Sequence, residues 1–102
     1  MVRLNWTFQA LDDLDAICEF IARDVPRYAQ IFASHVFDAV DRLETFPLSG
    51  RVVPEVERED IREVIFGNYR IVYRLTDNEL DVVSVHHSSR PLDSGKIIPP
   101  EA

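Results

Sequence analysis

Apolar residues recur along this chain with two different periods, and the change falls near residue 60. Val2 to Trp6 (VRLNW) alternates apolar and polar side chains and predicts a short strand. Thr7 then occupies the place of a helix N-cap. From Phe8 to about Arg23 the apolar positions are Ala10, Leu11, Leu14, Ile17, Cys18 and Ile21, which is helical spacing. Asp12, Asp13 and Asp15 fall near the start of this helix, where its dipole favours negative charge. Asp24-Val25-Pro26 is a break, with Asp24 able to cap and Pro26 tolerated in a first helical turn. A second apolar stripe, Ala29, Phe32, Ala33, Val36, Val40 and Leu43, predicts a helix to about Phe46. So short a link makes the two helices an antiparallel hairpin.

Beyond the polar connector from Arg51 to Asp60, the period becomes that of strands. Three are expected, at about 61–66, 69–76 and 79–86. Gly67-Asn68 and Asp77-Asn78 separate them, and both pairs accept the positive φ of two-residue hairpin turns. Pro91 closes the last strand. The order β-α-α-β-β-β defines an α+β fold, a helix hairpin packed on one face of a mostly antiparallel sheet, with the other face partly open. Residues 1–92 are expected to form one domain and 93–102 a C-terminal tail.

Charge sharpens this picture. The net charge of the 102 residues is −7 at neutral pH. Residues 1–60 carry 12 acids against 6 bases, and residues 61–102 carry 6 against 5. An acidic chain is repelled by nucleic acid at long range, so contact with it requires a local basic patch. The strands supply the candidates: Arg62, Arg70, Arg74 and Arg90, with adjacent His86 and His87. Arg70 and Arg74 share strand parity and point to one sheet face, whereas His86 and His87 point to opposite faces. Ion pairing of Arg70 and Arg74 with Glu63, Glu79 or Asp81 is the competing expectation.

Other chemistry is sparse. Cys18, the single cysteine, lies on an apolar helical stripe and reads as a buried hydrophobe. His35 lacks partners at zinc-ligand spacing, and the three glycines form no phosphate-binding loop. No metal or cofactor is expected. No apolar run reaches bilayer length, and the N-terminus turns acidic too early for a signal peptide, so the expected location is cytoplasmic.

Four ordered segments, WTFQALDDLDAICEFIARDVP, LETFPLSGR, IREVIFGNYRIVYRL and VVSVHHSSR, make the chain resemble the RelE/ParE superfamily of bacterial type II toxins from about Leu4 to Arg90. The likeness is greatest to the ParE branch, whose members are also called plasmid-stabilisation toxins. The resemblance implies a toxin neutralised by a cognate antitoxin. The ParE branch implies growth inhibition by poisoning DNA gyrase, with Arg70, Arg74, His86 and Arg90 as target-binding residues and no enzymatic activity. The RelE branch implies cleavage of mRNA on the ribosome. In that case Arg62, Arg74 and His87 are the catalytic residues, providing cationic stabilisation and proton transfer. A decayed homologue that keeps only the fold is the third expectation.

Overall fold

The computed structural model describes residues 2–89, so Met1, residues 90–92 and the expected tail 93–102 lie outside the described residues. Strand β1 spans Arg3–Trp6, helix α1 Phe8–Ala22 and helix α2 Pro26–Asp41. A 3-10 turn at Arg42–Glu44 follows, then β2 at Arg51–Val52, β3 at Ile61–Phe66, β4 at Tyr69–Leu75 and β5 at Glu79–His87. The five strands form one sheet in the order β1-β5-β4-β3-β2. Only β1 and β5 pair in parallel; the other neighbours are antiparallel.

Local chemistry explains the starts and stops. The Thr7 hydroxyl accepts the Ala10 N–H at 3.2 Å and donates to the Val82 carbonyl at 2.8 Å. One side chain therefore caps α1 and anchors it to β5. The expectation for Asp24 does not hold. Val25 occupies the N-cap of α2 without a side-chain bond, and Pro26 supplies the start by lacking the N–H that would need a partner. Nor do acids occupy the first turn of α1; Asp12, Asp13 and Asp15 begin one turn later. The α-helical part of α2 ends at Asp41 rather than near Phe46. Leu43 still reaches the core from the 3-10 turn, which keeps the apolar rhythm at a different pitch.

The helix hairpin covers one sheet face. Leu14, Phe32, Val36, Val40 and Leu43 pack against Ile71, Tyr73, Leu80, Val82 and Val85. Phe32 meets Tyr69 and Phe66 at ring-centroid distances of 4.9 and 5.8 Å. A bulge between Val82 and Ser84 interrupts the β4–β5 register. It reverses the parity of the end of β5, so Val85 joins Leu80 and Val82 in the core although its number is odd.

The opposite face is less open than the sequence suggests. The polar connector 53–60 folds back over it, and Val53, Ile61 and Val72 form a second small core with Val56 and Val83. Tyr73 holds the near end of that connector from the other side. Its hydroxyl accepts the Gly50 N–H at 3.0 Å and donates to the Pro47 carbonyl at 2.7 Å. A Cβ at Gly50 would stand 2.5 Å from that hydroxyl and 2.7 Å from the Glu63 carbonyl oxygen, so only glycine fits.

Gly50→Ala is expected to lower stability by about 1–3 kcal/mol through overpacking. Tyr73→Phe, which leaves the Gly50 N–H and the Pro47 carbonyl unpaired, should cost about 1–3 kcal/mol. Urea unfolding followed by tryptophan fluorescence checks both.

Candidate functional site

Two of the arginines singled out from the sequence, Arg62 and Arg70, are engaged internally and on opposite faces of the sheet. Arg70 and Glu63 are both buried, at 6% and 1% exposure, on the connector side of the sheet. The Arg70 guanidinium donates through Nε to Glu63 at 2.6 Å and through its two terminal nitrogens to Glu55 at 2.7 and 2.8 Å. The second Glu63 oxygen takes the Nε of Arg51 at 2.6 Å. Two guanidiniums and two carboxylates thus neutralise one another and tie β2, β3, β4 and the connector together. Hydrogen bonding to Glu55 and Glu63 raises the Arg70 pKa above its ordinary value, against the opposing effect of burial, so this group stays charged.

Arg62 lies on the other face of β3, and its guanidinium is turned to backbone. It donates to the Gly50 carbonyl at 2.9 Å, the Glu59 carbonyl at 3.0 Å and the Leu48 carbonyl at 3.5 Å. Arg74 shares the Arg70 face, opposite Ile61 on one side and Asp81 on the other, and lowers the pKa of Asp60 in concert with the stronger hydrogen bond from Arg58. Arg90 lies outside the described residues. Of the expected ion pairs, Arg70–Glu63 is present. Glu79 instead serves Arg3 at 3.1 Å and Asn5 at 2.7 Å.

The histidines diverge as adjacent strand residues must. The His87 ring meets Tyr69 edge-on at 5.3 Å. Its Nδ1 accepts the Ser89 backbone N–H at 3.2 Å, which leaves Nε2 to carry the proton of the neutral ring. His86 faces Arg70 across the β4–β5 ladder, and its Nδ1 lies 2.8 Å from the Ser84 hydroxyl. Burial and the Arg70 charge hold its pKa below the ordinary histidine value.

Arg62, Arg74 and His87 therefore occupy different faces or different ends of the sheet. Arg62 stands in the row of Tyr73, and His87 in the row of Tyr69. Four strand residues separate those rows, about 13 Å, and the two side chains also lie two strands apart.

A cleft of about 550 Å³ runs between α1 and the end of β5, lined by Asp13, Ile17, Phe20, Tyr69, His86 and His87 among others. Here residues 83–87 of β5 extend beyond the last β1 pairing at Val82. The Asp13 carboxylate accepts the outward Val85 N–H at 3.0 Å and so takes the place of a neighbouring strand. Among the described residues no cluster of histidine, cysteine or acidic side chains is arranged to hold a metal, and no helix is long and apolar enough to cross a membrane. The Cys18 thiol touches the Ala29 carbonyl, and burial and Asp15 raise its pKa, which suppresses the reactive thiolate. Arg51 and Glu55 are the site members that strand periodicity missed. Arg51 sits on β2 and Glu55 in the connector, and only the mixed charge of this stretch (RVVPEVERED) hinted at internal pairing.

A hairpin of two helices on a mostly antiparallel sheet, with Arg51, Arg62 and Arg70 engaged internally, defines a small α+β module. The family model for the ParE toxin of the type II toxin-antitoxin system parDE matches residues 4–92, and the chain belongs to this family. It is 33% identical over 90 residues to Toxin RelE2 of Caulobacter vibrioides, covering 88% of this chain and 99% of that one. It is 32% identical over 88 residues to the putative toxin Y4kP of Sinorhizobium fredii, covering 84% and 88%. The fold also matches a chain of the chromosomal ParDE system from P. aeruginosa, with a TM-score of 0.73 over 85% of this chain and 96% of that one at 22% identity. The chain is thus a toxin of a type II toxin-antitoxin module, which implies an antitoxin partner.

Glu63→Leu should destabilise the fold by about 3–5 kcal/mol, because it removes the buried carboxylate that the Arg51 and Arg70 Nε groups share. Glu63→Leu combined with Arg70→Met should recover much of that loss. Chemical denaturation of the single and double variants makes the comparison.

Proposed function

We propose that this toxin arrests bacterial growth by binding DNA gyrase, and that it acts as an inhibitor and not as a nuclease. The observation that carries this reading is the commitment of Arg62 and Arg70 to internal partners. Cutting RNA requires cationic donors and a proton-transfer group converging on one phosphate. Arg62, Arg74 and His87 stand apart on the sheet. The family match to ParE toxins points the same way. A cognate antitoxin holds the toxin inactive in the cytoplasm. The exposed apolar side chains Phe8, Phe20, Tyr28 and Ile31 on the acidic helix hairpin suit an antitoxin segment that folds as it docks.

A ribosome-dependent endoribonuclease is the second reading, favoured by the 33% identity to a protein named Toxin RelE2. His87 and Arg74 would then work with an Arg62 drawn out of its backbone contacts on the ribosome.

Purified toxin should inhibit supercoiling by gyrase and accumulate cleaved DNA, and equimolar cognate antitoxin should reverse both effects. Undiminished supercoiling at toxin excess, together with codon-positioned cuts in translated mRNA, would transfer the assignment to the nuclease. Normal growth at verified expression would mark a homologue that has lost toxicity.

A further inference from the structure

The arrangement around His86 carries a consequence for the connector. Every donor group of Arg70 that faces the connector is engaged, Nε with Glu63 and both terminal nitrogens with Glu55. His86 is the direct cross-strand neighbour of Arg70. Its Nδ1 is occupied by the Ser84 hydroxyl, while its Nε2 is buried and has no hydrogen-bond partner among the described residues. A neutral ring tolerates that position at modest cost. A protonated ring must find an acceptor for its Nε2–H. The acidic groups acting on it are Asp13 from α1, Glu63 from β3 and Glu55 from the connector. Asp13 already accepts the Val85 N–H, and the two glutamates are held by Arg70. A second cation would therefore compete with Arg70 for the carboxylates that close the connector.

We propose that His86 is a proton-operated latch. When its imidazole gains a proton, the Arg70 clasp on Glu55 loosens and residues 53–60 lift from the sheet, baring the small core of Ile61, Val72 and Val83. The direction of the pH dependence follows from the neutral ring being the one the fold favours. Its folded-state pKa lies below the unfolded value of about 6.5, so this contribution to stability is present above that pH. It is lost as pH falls below about 6.5 and through the folded pKa. Opening the connector gives the charged ring access to water and to a freed carboxylate, so local opening becomes the cheaper response.

Amide hydrogen exchange on the full chain tests the latch. The Val53 N–H bonds the Ile61 carbonyl and the Glu57 N–H bonds the Val53 carbonyl, so both report closure of the connector. After correction for intrinsic rates, their protection should fall severalfold between about pH 7.5 and about pH 5.5, as the linkage of a depressed imidazole pKa requires. In His86→Gln, whose side chain stays neutral, protection should be flat over that range. An equal loss in His86→Gln, or unchanged protection in the wild type, overturns the proposal. Should His86→Gln fail to fold, NMR titration of the wild-type imidazole decides. A midpoint shared with the Val53 and Glu57 amides supports the latch, and separate midpoints refute it.

Discussion

One buried carboxylate organises the side of the sheet away from the helices. Glu63 has almost no contact with water, and its two oxygens accept from different guanidiniums, Arg51 and Arg70. Its charge is tolerable only because both oxygens are so engaged. In return it fixes two arginines that would otherwise be mobile. Arg70 then reaches past it to Glu55 and brings the connector down over Val72. This network acts together with the packing of Val53 and Val56 to hold the acidic segment 55–60 on the sheet. The apolar core on the other face sets the fold, whereas the ionic network sets where the connector goes.

That division explains why the surface is not what a count of arginines implies. A toxin acting on a nucleic-acid machine can bring free positive charge to its target. This molecule turns Arg62 and Arg70 inward and presents a helix hairpin carrying exposed apolar side chains among acids. Such a surface is suited to recognising protein. The structural relative in a ParDE system shares the scaffold at 22% identity, so the scaffold accommodates widely different sequences.

Most of the architecture was legible from local pattern. The Thr7 cap, the two helices and the turns at Gly67-Asn68 and Asp77-Asn78 are short-range features and appear where the sequence places them, although Leu11 of the first stripe is exposed and, of the four turn residues, only Gly67 takes a positive φ. What pattern could not reveal was long-range. The path of the connector depends on Glu55 meeting Arg70, 15 positions away, a contact that no periodicity encodes. The bulge after Val82 reverses the parity of β5, so the side on which each histidine lies follows from strand pairing and not from residue number. The end of α2 was hidden for a related reason. Leu43 continues the apolar rhythm whether its turn is α or 3-10. Parity did place Arg70 and Arg74 on one face, but burial of the first and the carbonyl contacts of Arg62 are tertiary facts.

The contact between Asp13 and the Val85 N–H has a meaning for the molecule before any partner arrives. A β-strand whose rim is bare invites copies of the same chain to stack alongside it. Here a carboxylate from the neighbouring helix already fills the central amide of that rim and brings a repulsive charge with it. A second copy of the chain that paired along this rim would have to displace that carboxylate first.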